Sequence, residues 1–261
     1  HGFAASAMYP AYGMAEATVL ISAGRRGAAP VIHQVSRDGL QRNSIVPPAD
    51  DADMQEVVGC GRAFPRERVV IADPVSLRLL DPGQIGEIWA AGPNIAPGYW
   101  QNPEATAEAF MARLASEADE TRWLRTGDLG FLDEAGELFI TGRIKEIVII
   151  RGVNHYPQDI EHTVQRSHPA LRRHGGAAFA VADPAGAERL VIVQEVERTY
   201  RNRIDPAEII ARVREAVVNE HEIAPHEIAL LRPGALPKTT SGKIQRAVSR
   251  QLWQQGTLDF L

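Results

Sequence analysis

Lys243 lies in the run LPKTTSGKIQR, residues 236–246, where a proline followed by small polar residues describes an exposed, adaptable turn. From Ile244 the apolar positions Ile244, Val248 and Leu252 recur at helical spacing, which predicts a helix with Gly242 and Lys243 at its start. Backbone amides left free at such a start attract anions, so this is a place to bring a charge to a phosphate. A phosphate-cradling GxxxxGK loop is excluded, since it needs a glycine at 237 and the chain has Pro237. Alone, SGK reads as a surface lysine; what gives it chemical meaning is its company upstream.

That company begins with PAYGMAEATVLIS, residues 10–22, a Tyr12–Gly13 turn followed by one acid, Glu16. An aromatic face can stack on a base, a glycine lets the backbone approach a ligand, and a carboxylate can hold magnesium. Further on, Thr126, Gly127 and Asp128 form a turn carrying an acid. Such an acid can take both hydroxyls of a ribose, or serve as an Asx turn that caps its own backbone.

The elements that must position these residues follow from periodicity. Residues 19–58 are broken by GRRGAAP and VPPADDAD, with a short strand at 31–35, and connections this long tend to be functional. From Gly59 to Gly98 the pattern is β, with runs at 68–72, 76–80 and 87–90, implying a small, strongly turned sheet or barrel. Asn102 and Pro103 supply the cap and first residue of a helix through Ala109, Phe110 and Leu114. DEAG at 133–136 and FIT at 139–141 predict a hairpin.

Residues 142–145 read as a joint before a buried strand at 147–150. Beyond it come a helix from Pro157 with Ile160 and Val164 inward, and strands at 177–181 and 190–196. Asp205, Pro206 and Glu208 announce the next helix with a cap and a capping box, and Ile204 and Ile209 a hydrophobic staple. Its inner face is Ile209, Val213 and Val217, and a strand at 228–232 leads to the lysine loop. A domain boundary is therefore expected at about residue 143.

Composition bounds the function. The chain has 261 residues, 44% of them hydrophobic and 23% charged, as in an ordinary globular protein. Its single cysteine, Cys60, rules out an internal disulfide and suits a reducing compartment, so a cytoplasmic location is expected. There is no apolar run long enough to span a membrane. A net charge of −5 with dispersed arginines argues against a nucleic-acid partner.

YGMAEAT, RTGDLG, GRIKEIVIIRG and LPKTTSGKIQR, in this order and spacing, resemble the C-terminal half of the adenylate-forming superfamily. That superfamily holds the acyl- and aryl-CoA synthetases, the adenylation domains of peptide synthetases and the luciferases. RGVNHYPQDIE, residues 151–161, with the long segment after YGMAEAT, is most similar to the fatty acyl-AMP ligases. The resemblance implies a mixed α/β and α+β architecture. Residues 1–142 would be the β-rich, barrel-like end of a large adenylation domain, with an insertion at about 19–58. Residues 143–261 would be a small, mobile α+β domain.

The resemblance further implies ATP-dependent activation of a fatty acid to acyl-AMP, with magnesium as the metal. The acyl group then passes to the phosphopantetheine thiol of an acyl carrier protein in a polyketide synthase or peptide synthetase. Tyr12, Gly13, Met14, Ala15, Asp128 and Arg143 would contact the nucleotide, Tyr12 at the adenine and Asp128 and Arg143 at the ribose. Glu16 would bind magnesium, Lys145 would be the hinge and Lys243 the catalytic residue. Ala15 stands where many superfamily members have a threonine that reaches the α-phosphate, although fatty acyl-AMP ligases often have alanine. The family's phosphate loop and most of its acyl pocket lie upstream of these motifs, so the chain is expected to be a fragment. Two alternatives are an acyl-CoA ligase, in which CoA is the acceptor, and a non-catalytic binding relative.

Overall fold

The computed structural model describes residues 2–115, 121–200 and 204–261. The chain divides into two units, His1–Lys145 and Glu146–Leu261. The division falls just beyond the position read from the sequence, because a strand pairing keeps Arg143 in the first unit.

In the first unit the strands are β1 (Ala11–Tyr12), β2 (Ser22–Ala23), β3 (Ile32–Ser36), β4 (Met54–Val58), β5 (Arg62–Ala63), β6 (Arg68–Ala72), β7 (Gly86–Ala91), β8 (Leu124–Leu132) and β9 (Leu138–Arg143). The helices are α1 (Arg37–Gln41) and α2 (Pro103–Phe110). Strands β6 to β9 form an antiparallel sheet in sequence order, and β1, β2 and β5 a smaller one. The larger sheet stays open among the described residues, so the expected barrel-like end is a sheet with two edges. Strand β7 is buried on both faces, and Trp89 and Ile88 carry opposite sides of the core.

Two predicted elements change character. Residues 76–80 form no strand, because the Asp73 carboxylate accepts from the amides of Val75 and Ser76 and folds the chain into an Asx turn. The helix capped by Asn102, whose side chain accepts from the Ala105 amide, ends at Phe110, and Leu114 packs separately with Trp89 and Trp123. The segment 19–58 is not a single loop. Its β2 pairs with β1, and β3 and β4 make an antiparallel ladder around α1. The His33 ring lies 4.5 Å from that of Phe139, seating the ladder on β9.

The second unit contains β10 (Val148–Ile150), β11 (Val153–His155), α3 (Pro157–Ser167), β12 (Leu171–Ala182), β13 (Glu188–Val196), α4 (Pro206–His221), β14 (Glu227–Leu231) and α5 (Arg246–Gln254). Strands β12 and β13 pair antiparallel, whereas β13 and β14 pair parallel. A parallel pair needs a crossover, and α4 provides it. Alternation along β13 then fixes two cores. Leu190 and Ile192 face α3 and α4 through Ile160, Val164, Ile209, Val213 and Val217, while Val191 and Val193 face Leu252 and Trp253 of α5. Each of these fully buried aliphatic side chains contributes about 1.5–3 kcal/mol.

Helix α4 begins as its residue types dictate. The Asp205 side chain accepts from the Ala207 amide, Pro206 is the first residue, and Ile204 packs on the core beside Ile209. The Glu208 carboxylate, however, is held by Arg212 one turn later rather than turned back to the cap. The strand predicted as buried at 147–150 is half of the β10–β11 hairpin, with Val148 inward and Ile149 exposed. Among the described residues no helix is long and apolar enough to cross a membrane.

Candidate functional site

The first unit brings Tyr12, Asp128 and Arg143 together. Asp128 is only 5% exposed, and its two carboxylate oxygens are divided between two donors. The Tyr12 hydroxyl donates to Oδ2 at 2.6 Å, and the Arg143 Nε donates to Oδ1 at 2.7 Å. Burial, and then the Asp128 charge, push the Tyr12 phenol far above its ordinary pKa, so it remains a donor. Arg143 keeps most of its guanidinium in solvent. The arrangement leaves an anionic carboxylate with spare lone pairs beside an exposed cation.

Strand register explains how this pair forms. Gly130 pairs with Ile140 and Leu132 with Leu138, but an irregularity after Leu129 shifts the ladder by one residue, so Asp128 lies opposite Arg143 rather than Gly142. Residues 126–128 form no separate turn but an irregular, bulged stretch within β8, where the ladder to β7 also shifts, and this stretch is fixed from beneath. Glu87, 2% exposed, accepts from the Gly127 amide at 3.1 Å through Oε1. Its Oε2 accepts from Trp89 Nε1 at 2.9 Å and from Arg125 Nε at 2.8 Å. Gly127 has φ +72°, a left-handed conformation suited to glycine. The Thr126 hydroxyl accepts from the Asp128 amide, so the Asp128 carboxylate is not spent on an Asx turn.

The YGMAEAT segment folds as a tight loop. A Cβ on Gly13 would stand 1.6 Å from the Val19 carbonyl oxygen, so glycine is required for the chain's approach to itself, not only to a ligand. Thr18 and Val19 both take positive φ, costly for β-branched residues, and Asn94 braces them. Its side-chain amide donates to the carbonyls of Ala17 and Leu20, and its own carbonyl accepts from the Thr18 hydroxyl. On this loop Met14 and Glu16 are half-buried and Ala15 is exposed. Glu16 accepts from the Tyr99 hydroxyl at 2.8 Å.

Glu16 is a lone carboxylate; among the described residues no group of three or more His, Cys, Asp or Glu could hold a metal. A single carboxylate fits magnesium, which commonly takes one or two protein carboxylates and fills its shell with phosphate and water. It does not fit zinc or calcium held by an all-protein cage.

In the second unit Lys243 is exposed, but not at a helix start. Helix α5 begins at Arg246, and the lysine sits on a small hairpin closed by a bridge between Lys238 and Ile244. The Thr239 amide donates to the Lys243 carbonyl at 2.8 Å, and the Thr239 hydroxyl accepts from the Lys243 amide at 3.0 Å. That amide is therefore occupied, and charge at this place comes from the ammonium alone. The apolar stripe shifts accordingly: Leu252 and Trp253 pack inward, while Val248 is partly exposed. Lys145 is an exposed turn residue between β9 and β10, the last of the first unit.

Two carboxylates, Glu195 buried and Glu161 half-buried, brace the lysine hairpin. Glu195 Oε1 accepts from the amides of Gly234 and Leu236, each at 2.9 Å, while Oε2 meets Arg172 at 2.7 Å. Glu161 receives both Nε and Nη2 of Arg246 at 2.7 Å. Arg172 is thus engaged with Glu195, while Arg201 and Arg203 lie outside the described residues. Glu87, Asn94, Glu195 and Glu161 were missed from the sequence, where the only signal is an acid or amide inside an otherwise apolar run, as in GEIWAA and VIVQEV.

The chain is similar to known proteins along most of its length. Residues 2–100 match the AMP-binding enzyme family, and residues 145–261 the AMP domain of the Disco-interacting protein 2-like family. The medium-chain-fatty-acid–[acyl-carrier-protein] ligase JamA of Moorena producens is 48% identical over 99% of this chain and 44% of its own length. The ligase of the same description from Teredinibacter turnerae, TtuA, is 38% identical over 95% of this chain and 39% of its own. A solved structure from work on the fatty acyl-adenylate ligases of E. coli and L. pneumophila superposes with a TM-score of 0.82 at 29% identity, over 97% of this chain and 43% of that one. The chain spans less than half the length of these relatives. Two family models together cover most of its residues, and fatty acyl ligases match along nearly its whole length, so the chain is similar throughout to AMP-binding, adenylate-forming enzymes.

Proposed function

We propose that the full-length protein activates a fatty acid as its acyl-adenylate, releasing pyrophosphate, and passes the acyl group to the phosphopantetheine thiol of an acyl carrier protein. The observation that carries this reading is the Tyr12–Asp128–Arg143 cluster, a buried acid with spare acceptor capacity beside an exposed guanidinium. That chemistry suits the two hydroxyls of a ribose, and the names of JamA and TtuA supply the acyl and acceptor classes.

In the first half-reaction a fatty carboxylate attacks the α-phosphorus of ATP, a P–O bond forms, and pyrophosphate leaves with the electron pair. Two anions meet, so fixed cations must offset the developing charge. Lys243 supplies one, reaching from a hairpin that leaves its ammonium free to approach a phosphoryl oxygen. Asp128 and Arg143 orient the ribose; Tyr12 holds the Asp128 carboxylate in place through its hydroxyl, with its ring toward the adenine. Gly13, Met14 and Ala15 present the loop backbone to the nucleotide. Glu16 would hold magnesium, which when bound neutralises phosphate charge.

In the second half-reaction the thiol attacks the acyl carbon, losing its proton, and AMP leaves. Lys243 is then unneeded and must withdraw, and Lys145, exposed where the two units join in the chain, is the hinge for that swing. The units His1–Lys145 and Glu146–Leu261 are accordingly the end of the large adenylation domain and the small mobile domain. The segment 19–58, with its β3–β4 ladder, is the insertion that disfavours CoA. Cytoplasm, the site of both ATP and carrier proteins, is the compartment, and polyketide or peptide assembly lines are the setting.

The test incubates the full-length protein with ATP, magnesium and a panel of fatty acids, follows acyl-AMP by mass, then adds CoA or a pantetheinylated carrier protein. Acyl-AMP that persists with CoA and is consumed by the carrier supports the reading; rapid acyl-CoA formation favours a CoA ligase. Absence of acyl-AMP points to a non-catalytic relative. Removing residues 32–56 while keeping Ser22, the register partner of Tyr12, should open the reaction to CoA.

A further inference from the structure

Three side chains of the second unit, none of them in the motif roles above, form a charged knot. Arg246, the first residue of α5, donates from Nε and Nη2 to the two oxygens of Glu161, both at 2.7 Å, and from Nη1 to Glu146 at 2.6 Å. Glu161 lies on α3 and also accepts from the Ala178 amide of β12 at 3.0 Å. Glu146 is the first residue of the second unit and follows Lys145 directly. Side-chain exposures of 18%, 11% and 30% for Arg246, Glu161 and Glu146 put the knot largely out of solvent. Burial works against the charge on Arg246, but the Glu161 and Glu146 carboxylates outweigh it and raise the arginine's pKa.

The place of this knot in the chain matters more than its strength. Only Ile244 and Gln245 separate Arg246 from Lys243, and both are held: Ile244 bridges to Lys238, and the Gln245 amide donates to the Pro237 carbonyl at 3.0 Å. A shift of Arg246 therefore moves the lysine's backbone, with no slack residues to absorb it. The other foot of the loop is anchored by Glu195 at Gly234 and Leu236. Those bonds fix the entry of the hairpin, and Arg246 fixes its exit.

We infer that Arg246 is a positioning residue for Lys243, setting the lysine's reach by clamping the exit of its hairpin to Glu161 and to Glu146 beside the hinge. This inference rests on the proposed role of Lys243 in acyl-AMP formation. The clamp is bidentate and planar, so lysine cannot substitute for Arg246: an ammonium holds one carboxylate oxygen where the guanidinium holds two and reaches a third. An error of about 1 Å in a catalytic group can cost on the order of 100-fold in rate.

The experiment measures single-turnover acyl-AMP formation in the full-length protein for the wild type, Arg246→Lys, Lys243→Ala and the double variant, with thermal midpoints recorded alongside. Thioester formation from supplied acyl-AMP is followed in the same proteins. The expected result is a loss of roughly 10- to 100-fold for Arg246→Lys when Lys243 is present. Acting through the lysine, the same substitution should cost about 2-fold or less on the Lys243→Ala background, and transfer from supplied acyl-AMP should be retained. A merely structural arginine lowers the midpoint and costs the same factor on both backgrounds, which overturns the inference. So does full activity of Arg246→Lys while Lys243→Ala is defective. Should Lys243→Ala make acyl-AMP at the wild-type rate, the functional reading itself fails, and the inference falls with it. If Arg246→Lys does not fold, Glu146→Gln tests the same clamp through one of its three bonds, with a smaller loss expected and the same background dependence.

Discussion

The two chemically marked places in this chain are built in opposite ways. Around Asp128 the functional group itself is immobilised, with both carboxylate oxygens engaged, its amide capped by Thr126 and the amide of Gly127 before it pinned by buried Glu87. Around Lys243 the backbone is immobilised and the functional group is not: the hairpin is closed by Thr239, its two feet are held by Glu195 and Arg246, and the ammonium is left on a flexible stem in solvent. Under the proposed function Asp128 meets a ribose, which is recognised by fixed acceptors, so freedom there would only add entropy to be lost on binding. A charge needed for one half-reaction and not for the next must be deliverable and removable, which a long side chain on a firm base provides.

The sharpest way to break the comparison is to remove what lies beneath the rigid site. Glu87→Ala leaves the Arg125 guanidinium and the Trp89 indole N–H without their shared acceptor, and we expect a loss of about 3 kcal/mol or more in thermal or chemical denaturation. A change below about 1 kcal/mol would mean that this stretch of β8 does not depend on the Glu87 carboxylate. On the flexible side Lys243→Ala should leave the thermal midpoint unchanged and reduce acyl-AMP formation by roughly 100- to 1,000-fold, because one transition-state charge partner is gone. A variant that is equally active but less stable would reverse the assignment, making the lysine structural.

Asp128→Asn should come next in size. It keeps the shape but discards the charge that Arg143 and Tyr12 are arranged around, and AMP binding by calorimetry should weaken roughly 10- to 100-fold. An unchanged affinity would remove Asp128 from the ribose. The smallest effect is a pH dependence in the second unit. Burial lowers the pKa of His155, whose Nδ1 is buried without a partner, so the folded protein keeps this ring neutral where the unfolded chain protonates it. The unfolded state then binds more protons below about pH 6.5, and stability present above that value is lost as the pH falls toward the folded pKa. Thermal midpoints taken from about pH 7.5 down to about pH 5.5 should fall more steeply for the wild type than for His155→Gln. Parallel slopes would show that the ring is already charged in the fold.

Local rules carried much of the architecture. Asn102 and Asp205 cap the helices they announce, Ile209, Val213 and Val217 face inward as their spacing requires, and DEAG closes a hairpin, because each depends on hydrogen bonds or periodicity within a few residues. The same local logic failed at Lys243. Helical spacing from Ile244 was real, but Thr239 captured the lysine's amide and the Lys238–Ile244 bridge delayed the helix to Arg246. It failed too at residues 76–80, where the side chain of Asp73 outcompeted a ladder.

By itself the sequence determined which residue types stand in which motifs, and so the resemblance to adenylate-forming enzymes and the chemistry those groups could perform. Tertiary structure alone decided what meets what. Tyr12 reaches Asp128 across 116 residues of chain, a one-residue slip in the β8–β9 ladder chooses Arg143 over Gly142 as the partner of Asp128, and Arg246 gathers Glu161 and Glu146 from 85 and 100 residues away. The reason is physical: a cap or a turn is settled by neighbours along the chain. The partner of a buried charge is settled by which distant groups packing brings close enough to repay its desolvation.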